Sequence, residues 1–268
     1  MINQFLKSLP NELITNKIGE HNIQTNAFDL FKYSDVESRR FGKIIYRGHP
    51  GVYDLSVLRQ FFNYNNPDIL IIRFPAEEQC NLHSLNSLDK DIIHADTLVY
   101  YQLDLKKTFY NPVKNVDLVF RQATDHQRKD FEGLVPRIFN NYANHYFSNP
   151  LLDNQRIKDG YTEWVTEGLS KPDHFQVLAY DGGIAIAFIT YRISQSHAEI
   201  VMNGVLPEYE GRGIYTDLLR YVKQYCNELN IPAIRVSTQI QNYFVQKVWN
   251  KEGLILDKAF VTIHLNKR

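Results

Sequence analysis

Apolar and polar positions change period several times along the chain. Between residues 43 and 105, the runs KIIYRG, DILIIRF and TLVYYQLDL are apolar, β-branched and aromatic over strand length and alternate with helical stretches. This predicts a small α/β unit. The segment TFYNPVKN, residues 108 to 115, combines proline with turn-forming asparagine and reads as a linker. A boundary is therefore expected near Asn111, with residues 1–111 as an amino-terminal α/β domain and 112–268 as a second one. From there the pattern predicts a strand at Val116 to Arg121, a helix at Asp125 to Asn140, an aromatic loop and a helix at Gln155 to Leu169. Strands follow at Phe175 to Tyr180 and Ile184 to Arg192, joined by the hairpin signal DGG. A strand at Ala198 to Val205, a glycine-punctuated turn, a helix to Leu229, a strand at Ala233 to Thr238, a helix at Tyr243 to Lys251 and the strand AFVTIHL complete the order. The fold class expected is α/β (α+β), a mixed central sheet flanked by helices. Neither an internal repeat nor a low-complexity tract interrupts it.

The turn PEYEGRGI has its own chemistry. After Gly213, apolar residues fall at Ile214, Leu218, Leu219, Val222, Tyr225, Cys226 and Leu229, the period of a helix that docks one face on a sheet. Its first turn carries unpaired N–H groups and the positive end of a macrodipole, and Gly211 and Gly213 let a ligand approach the backbone. Such a helix start binds phosphate.

Composition narrows the classes. With 268 residues, 44% of them hydrophobic, the chain can bury a sizeable core. Its 30 Lys and Arg balance 30 Asp and Glu, so no basic field recruits nucleic acid or an anionic membrane. MINQFLKSLPNELITNK lacks the apolar core of a signal peptide, and no run approaches the roughly 20 apolar residues that span a bilayer, so a cytoplasmic protein is expected. Cys80 and Cys226 are isolated, without metal-ligand spacing, and no metal is expected.

The strand, glycine turn and helix, followed by VSTQIQNYFVQKVWNKEGL, resemble the GCN5-related N-acetyltransferase (GNAT) superfamily. Its signature is Gln/Arg-x-x-Gly-x-Gly/Ala after the fourth strand, with an Asn-to-Tyr segment on the last helix. The likeness runs from about Val116 to Leu265. It implies acetyl-coenzyme A as co-substrate, held by Glu210, Gly211, Arg212, Gly213, Ile214, Tyr215 and Thr216 around its pyrophosphate, by the strand end at Val205 and Leu206, and by Asn242. The sequence departs from the signature at Glu210 and at Tyr215, which takes the second small position. A narrower resemblance, carried by SDVESRRFGKIIYRG, HADTLVYYQLDL, YFSNPLLDNQRIKDGYTEWV and RVSTQIQN, is to two-domain enzymes that acetylate dTDP-4-amino-4,6-dideoxygalactose. It implies a nucleotide-linked amino sugar as acceptor, for surface polysaccharide synthesis.

Acetyl transfer to an amine needs a neutral nucleophile, a polarised thioester carbonyl and a proton for the departing thiolate. A backbone N–H near Val205 and Leu206 suits the carbonyl. Where the superfamily usually places the acidic Tyr, this chain has Trp249, whose indole donates a hydrogen bond but does not titrate near neutral pH. Three options stand: Trp249 only hydrogen-bonds or walls the site, Tyr215 or Tyr243 serves as acid, or the thiolate leaves unprotonated. Strand alternation puts Glu199, Val201 and Asn203 on one face, making Glu199 the candidate base and Asn203 a sugar ligand. His197 lies in the turn before.

For the acceptor, His145 and Tyr146 in the aromatic loop NNYANHYFSNP, with Tyr161 and Trp164 on the next helix, offer aromatic faces. Arg121 is a candidate for a nucleotide pyrophosphate, and Arg39 and Arg40 for a reach across the domain interface. The competing expectations are a peptide, amino-acid or polyamine acceptor, or a catalytically silent acetyl-coenzyme A binding module. Exposed sheet edges suggest a homodimer.

Overall fold

The computed structural model describes residues 30–51, 53–108 and 111–268; the signal-peptide reading of the amino terminus falls outside them, as does the side chain of Cys80. The chain runs β1 (Phe31–Tyr33), α1 (Asp35–Phe41), β2 (Ile45–Gly48), α2 (Leu55–Tyr64), β3 (Ile69–Pro75), a 3-10 segment (Ala76–Ser87) and β4 (Lys90–Asp104). It continues with β5 (Val119–Gln122), α3 (Arg128–Ile138), α4 (Asn154–Gly168), β6 (His174–Asp181), β7 (Ile184–Ile193), β8 (Ala198–Val205), α5 (Ile214–Glu228), β9 (Ala233–Gln239), α6 (Tyr243–Lys251) and β10 (Ile255–Lys267).

All ten strands join in one sheet of order β1-β2-β3-β10-β4-β9-β8-β7-β6-β5. β4, which precedes Asn111, lies between β9 and β10, which follow it, so the two parts of the chain share hydrogen-bonded strands. The apolar run Ile69–Ile72 has no alternation because β3 is buried on both faces, with Ile69 and Ile71 in one core and Leu70 and Ile72 in the other. The carboxy-terminal strand is longer than its apolar run because β3 and β4 pair with it on either side. The DGG signal becomes the β6–β7 hairpin, with Gly182 and Gly183 both at positive φ, as a two-residue turn of this hand demands. The helix expected from Asp125 starts as a 3-10 turn with a Thr124–Gln127 capping box, and α3 follows.

Helices α3 and α4 cover one face of the β6–β8 region and α5 the other. Phe131 and Phe139 pack against Phe188, and the backbone of Gly204 comes so near α3 that a Cβ there would stand 2.3 Å from Ile138 Cγ2. On the opposite side Tyr225 of α5 meets Tyr191 and Phe175.

One irregularity shapes the site. In the β7–β8 ladder Tyr191 pairs with Ile200 but Thr190 with Met202, leaving Val201 as an extra residue. A bulge reverses the alternation and sharpens the twist. β8 and β9 are parallel partners only at Ala198/Ile234, Glu199/Arg235 and Ile200/Val236. Beyond the bulge β8 stays on β7 and β9 stays on β4, so the sheet opens between their carboxy ends.

Candidate active site

The helix start of the sequence reading stands on the α5 face of this opening. Gly211 and Gly213 have φ of 76° and 78°, the left-handed region open to glycine, and Gly213 is the residue from which α5 begins. The first backbone bond there is Asp217 N–H to Gly213 C=O, 3.1 Å, so the N–H groups of Ile214, Tyr215 and Thr216 lie ahead of the helical ladder. Asp217, buried, accepts from the N–H groups of Lys114 and Asn115 at 3.0 and 2.9 Å and ties residues 114–115 to the same turn. Beside it a pocket of about 330 Å³ is lined by Lys114, Thr216, Arg220, Val248 and Lys251 among others. Arg212 is turned to Tyr209, its guanidinium 4.8 Å from the ring centroid, while Ile214 is core. Glu210 is exposed, its N–H bonded to Pro207 C=O.

The backbone donor expected near Val205 and Leu206 is not that of Leu206. Leu206 N–H is spent on Ile186 C=O at 2.9 Å. Successive N–H groups of a strand point to opposite sides, so that of Val205 points away from β7, into the opening.

Trp249 is 1% exposed, and its Nε1–H donates to Tyr215 Oη at 2.7 Å. Tyr215 is also buried, so its hydroxyl accepts one hydrogen bond and keeps its own proton to donate. Burial pushes its pKa above the ordinary tyrosine value, the Trp249 hydrogen bond opposing, and the phenol stays protonated across the neutral range. Tyr243 is 66% exposed at the start of α6 and has no such setting. Asn242 precedes α6, but its side chain donates to Thr238 Oγ1 at 3.0 Å instead of capping.

The α3/α4 face presents other residues. Tyr142, in the aromatic loop, hydrogen-bonds through its hydroxyl to Gln239 Oε1 at the end of β9. Burial raises its pKa, and it lies near enough to Tyr215 for the two ionisations to oppose each other. Its ring meets Tyr161 edge-on at 6.1 Å. Gln239 Nε2 stands 3.5 Å from Asp96 Oδ2 on β4. Asp96, Tyr142 and Gln239 were not singled out from the sequence. The aromatic loop drew attention to the stretch around Tyr142, whereas Asp96 comes from a distant strand and carries no local signal.

Several residues expected at the site stand elsewhere. Glu199 lies in the hydrogen-bonded part of the β8–β9 ladder, bound to Arg192 at 2.6 Å. Val205 is six residues on, roughly 20 Å at ~3.3 Å per residue. The bulge also puts Glu199 on the α3/α4 face and Asn203, paired with Ile189, on the α5 face, contrary to simple alternation. Arg121 is exposed on the edge strand β5, three strands from β8. Trp164 is 52% exposed on α4. His145 and Tyr146 are consumed in a polar seam: His145 Nδ1 meets His264 Nε2 at 2.8 Å, and Arg47 binds Glu37 and Tyr146 Oη at 2.6 Å each. Burial, then the charge of Arg47, lowers both histidines, His264 to about 3, so the pair is neutral. Arg39 pairs with Asp35 and Arg40 with Glu163, and His197 bonds Ser196 at 2.9 Å in a turn. Among the described residues no cluster of three or more His, Cys, Asp or Glu is set to hold a metal ion, and no helix is long and apolar enough to cross a membrane.

Residues 136–254 match the acetyltransferase (GNAT) family. A functionally unknown conserved protein from Staphylococcus epidermidis superposes with a TM-score of 0.58 at 16% identity, covering 84% of each chain. A GCN5-related N-acetyltransferase from Sphaerobacter thermophilus gives 0.59 at 11%, covering 87% of this chain and 75% of that one. A tandem GNAT protein from the clavulanic acid biosynthesis pathway gives 0.56 at 12%, covering 83% and 75%. No curated protein matches the chain. At these identities the structural likeness speaks to the fold, which is the GNAT fold.

Proposed function

We propose that this chain, an acetyl-CoA-dependent acyltransferase with a GNAT domain over residues 136–254, passes acetyl from acetyl-CoA directly to the amine of a nucleotide-linked amino-deoxy sugar. The observation that carries the reading is the opening between β8 and β9, with free amides and a donor phenol on one face and an aromatic, amide and carboxylate group on the other. The phosphates of the donor suit the N–H groups of Ile214 to Thr216, with Lys114 and Lys251 alongside. Val205 N–H is aimed to bind the thioester oxygen as it gains charge. Tyr215 O–H, oriented by Trp249, is the donor to the departing sulfur, the second of the three options that the sequence left open.

A sugar ring suits the walls of Tyr142 and Tyr161, and the resemblance to amino-sugar acetyltransferases adds the nucleotide and the role in surface polysaccharide synthesis. The same reading keeps a division of the sequence near Asn111 and allows two copies to pair along an open sheet edge, such as β5. A second reading, a silent acetyl-CoA-binding module, is favoured by one observation. Tyr215 fills a position that the signature gives to a small residue.

The test is thiol release from acetyl-CoA against nucleotide-linked 3-amino and 4-amino sugars, with spermidine and a lysine peptide as controls and each product read by mass. Turnover on one amino-sugar nucleotide, with an acetyl added, is expected. Turnover on spermidine or the peptide alone would move the acceptor to that class, and binding of acetyl-CoA without turnover would leave the silent module. On the donor side, Gly213→Val forces a β-branched residue to a φ of 78°, which the turn can relieve only by moving the amides that follow it. Titration calorimetry is expected to show acetyl-CoA affinity reduced about tenfold, roughly 1.4 kcal/mol of binding free energy, because the displaced amides no longer converge on the phosphates.

A further inference from the structure

On the α3/α4 side, two buried polar atoms have no hydrogen-bond partner among the described residues. Asp96 Oδ1 is shielded from solvent and has no hydrogen-bond partner among the described residues, and the same is true of Tyr161 Oη. Among the described residues, the other Asp96 oxygen has the long 3.5 Å approach of Gln239 Nε2. These atoms flank one chain of contacts: Tyr161 ring to Tyr142 ring, Tyr142 hydroxyl to Gln239, Gln239 to Asp96. An unpaired buried carboxylate oxygen is costly, and so is a buried phenol with nothing to donate to. Asp96 also stands at an irregularity: β10 pairs Thr262 with Asp96 but Ile263 with His94, so Ala95 is extra, and its carbonyl is held by Ser148 Oγ at 2.7 Å. The bulge fixes the strand where it passes the end of β9, just where β8 has turned away.

We infer that Asp96 receives the acceptor as a primary ammonium and takes its first proton, and that Tyr161 donates to an oxygen on the same acceptor molecule. The inference rests on the acyl-transfer reading above and gives the role first sought for Glu199 to a residue of the amino-terminal part. The chemistry balances. The ammonium gives one proton to the Asp96 carboxylate, and the nitrogen lone pair forms the C–N bond at the thioester carbon. The C–S bond then breaks with its electron pair going to sulfur, and the nitrogen loses a second proton as the amide forms. One proton ends on sulfur and one in solvent, leaving amide and thiol. The acceptor class is an amine that is cationic in solution and bears a hydroxyl or ether oxygen near the nitrogen, as an amino sugar does.

Asp96→Asn keeps the shape and removes the charge, and Tyr161→Phe removes only the unpartnered hydroxyl. For Asp96→Asn, kcat/KM for the amine turned over by the unaltered protein is expected to fall about 100-fold, in the range of a lost acid–base group. The fall should be confined to the acceptor, with acetyl-CoA affinity unchanged and the melting temperature equal or higher, because an unpaired buried oxygen has been neutralised. Tyr161→Phe should raise the acceptor KM about tenfold, one hydrogen bond's worth, with kcat little changed. An Asp96→Asn protein as active as the original, or one that melts well below it, would overturn the assignment while leaving the acyltransferase reading intact. If dTDP-4-amino-4,6-dideoxygalactose, spermidine and a lysine peptide all fail with the unaltered protein while acetyl-CoA still binds, the amine reading falls and this assignment with it.

Discussion

Glu252→Ala is expected to destabilise the fold by about 3–5 kcal/mol, the usual result of stripping one partner from a buried ion cluster. Glu252 follows α6 and is 5% exposed; it accepts from Arg220 Nη2 at 2.6 Å and Nε at 3.1 Å, and its backbone carbonyl accepts from Lys223 Nζ at 3.0 Å. Both cations are buried on α5, and Arg220 also donates to Pro112 C=O at 3.0 Å. Burial pushes the Glu252 carboxyl up, but the hydrogen bonds and charges of Arg220 and Lys223 more than offset this and hold it below 4.5. Burial lowers Lys223, with Glu252 opposing. Without the carboxylate, Arg220 keeps the Pro112 carbonyl and the 3.8 Å approach to Asp217 but loses its bidentate partner, and Lys223 loses the 3.5 Å approach to Glu252 Oε2. The melting temperature should drop on the order of 10 °C for a chain of this size. Asp89→Ala, which breaks an exposed pair with Arg268, should leave it unchanged.

The pH dependence follows from the sign of the shift. A carboxyl depressed on folding contributes stability above its unfolded pKa of 4.5 and loses it as pH falls through the folded value. The gap between unaltered and Glu252→Ala proteins should therefore be constant from pH 7 down to about 5 and close below that. Chemical denaturation at several pH values measures it, and a gap that widened in acid would contradict the assignment.

Tyr215→Phe is expected to lower kcat about 100-fold while the KM for acetyl-CoA holds, since it deletes a donor that acts only once sulfur carries charge. The ring and its packing remain, and only the hydroxyl that Trp249 orients is lost. Trp249→Phe should cost less, about tenfold, because it frees the phenol without removing it. A Tyr215→Phe enzyme with unaltered kcat would return the leaving group to departure without protonation. Loss in KM alone would make Tyr215 a wall of the donor channel. The two experiments share a link. Glu252 joins α6 to α5, so its loss should loosen the Trp249–Tyr215 pair as well as the fold.

Local pattern carried far in this chain because most of its elements answer local rules. The α5 period from Ile214 to Leu229, the α6 limits, β8 and the DGG hairpin all read correctly from sequence, while the left-handed backbone of Gly211 and Gly213 is a finding of the structure. The GNAT fold was legible from the same turn and its spacing to Asn242 and Trp249. The tertiary surroundings of the side chains expected on the acceptor side were less legible, for particular reasons. Glu199 was placed by alternation, and one extra residue at Val201 changed its face, while the ladder with β9 closed its end of the strand. His145 and Tyr146 read as aromatic faces for an acceptor, but Glu37, Arg47 and His264, distant in sequence, bury them in a seam. Arg121 has the charge that a pyrophosphate needs, and strand order alone puts it at the far edge.

By itself, then, the sequence determined the class of fold, the glycine turn that opens α5 and the presence of Trp249 where a tyrosine was expected, because each depends on residues within one element or one turn. The tertiary structure decided which tyrosine meets Trp249, where the sheet opens and that Asp96 stands at the opening. Those depend on β4 entering the sheet between β9 and β10, more than a hundred residues further on, and on an extra residue in the β7–β8 ladder, and no local period encodes either.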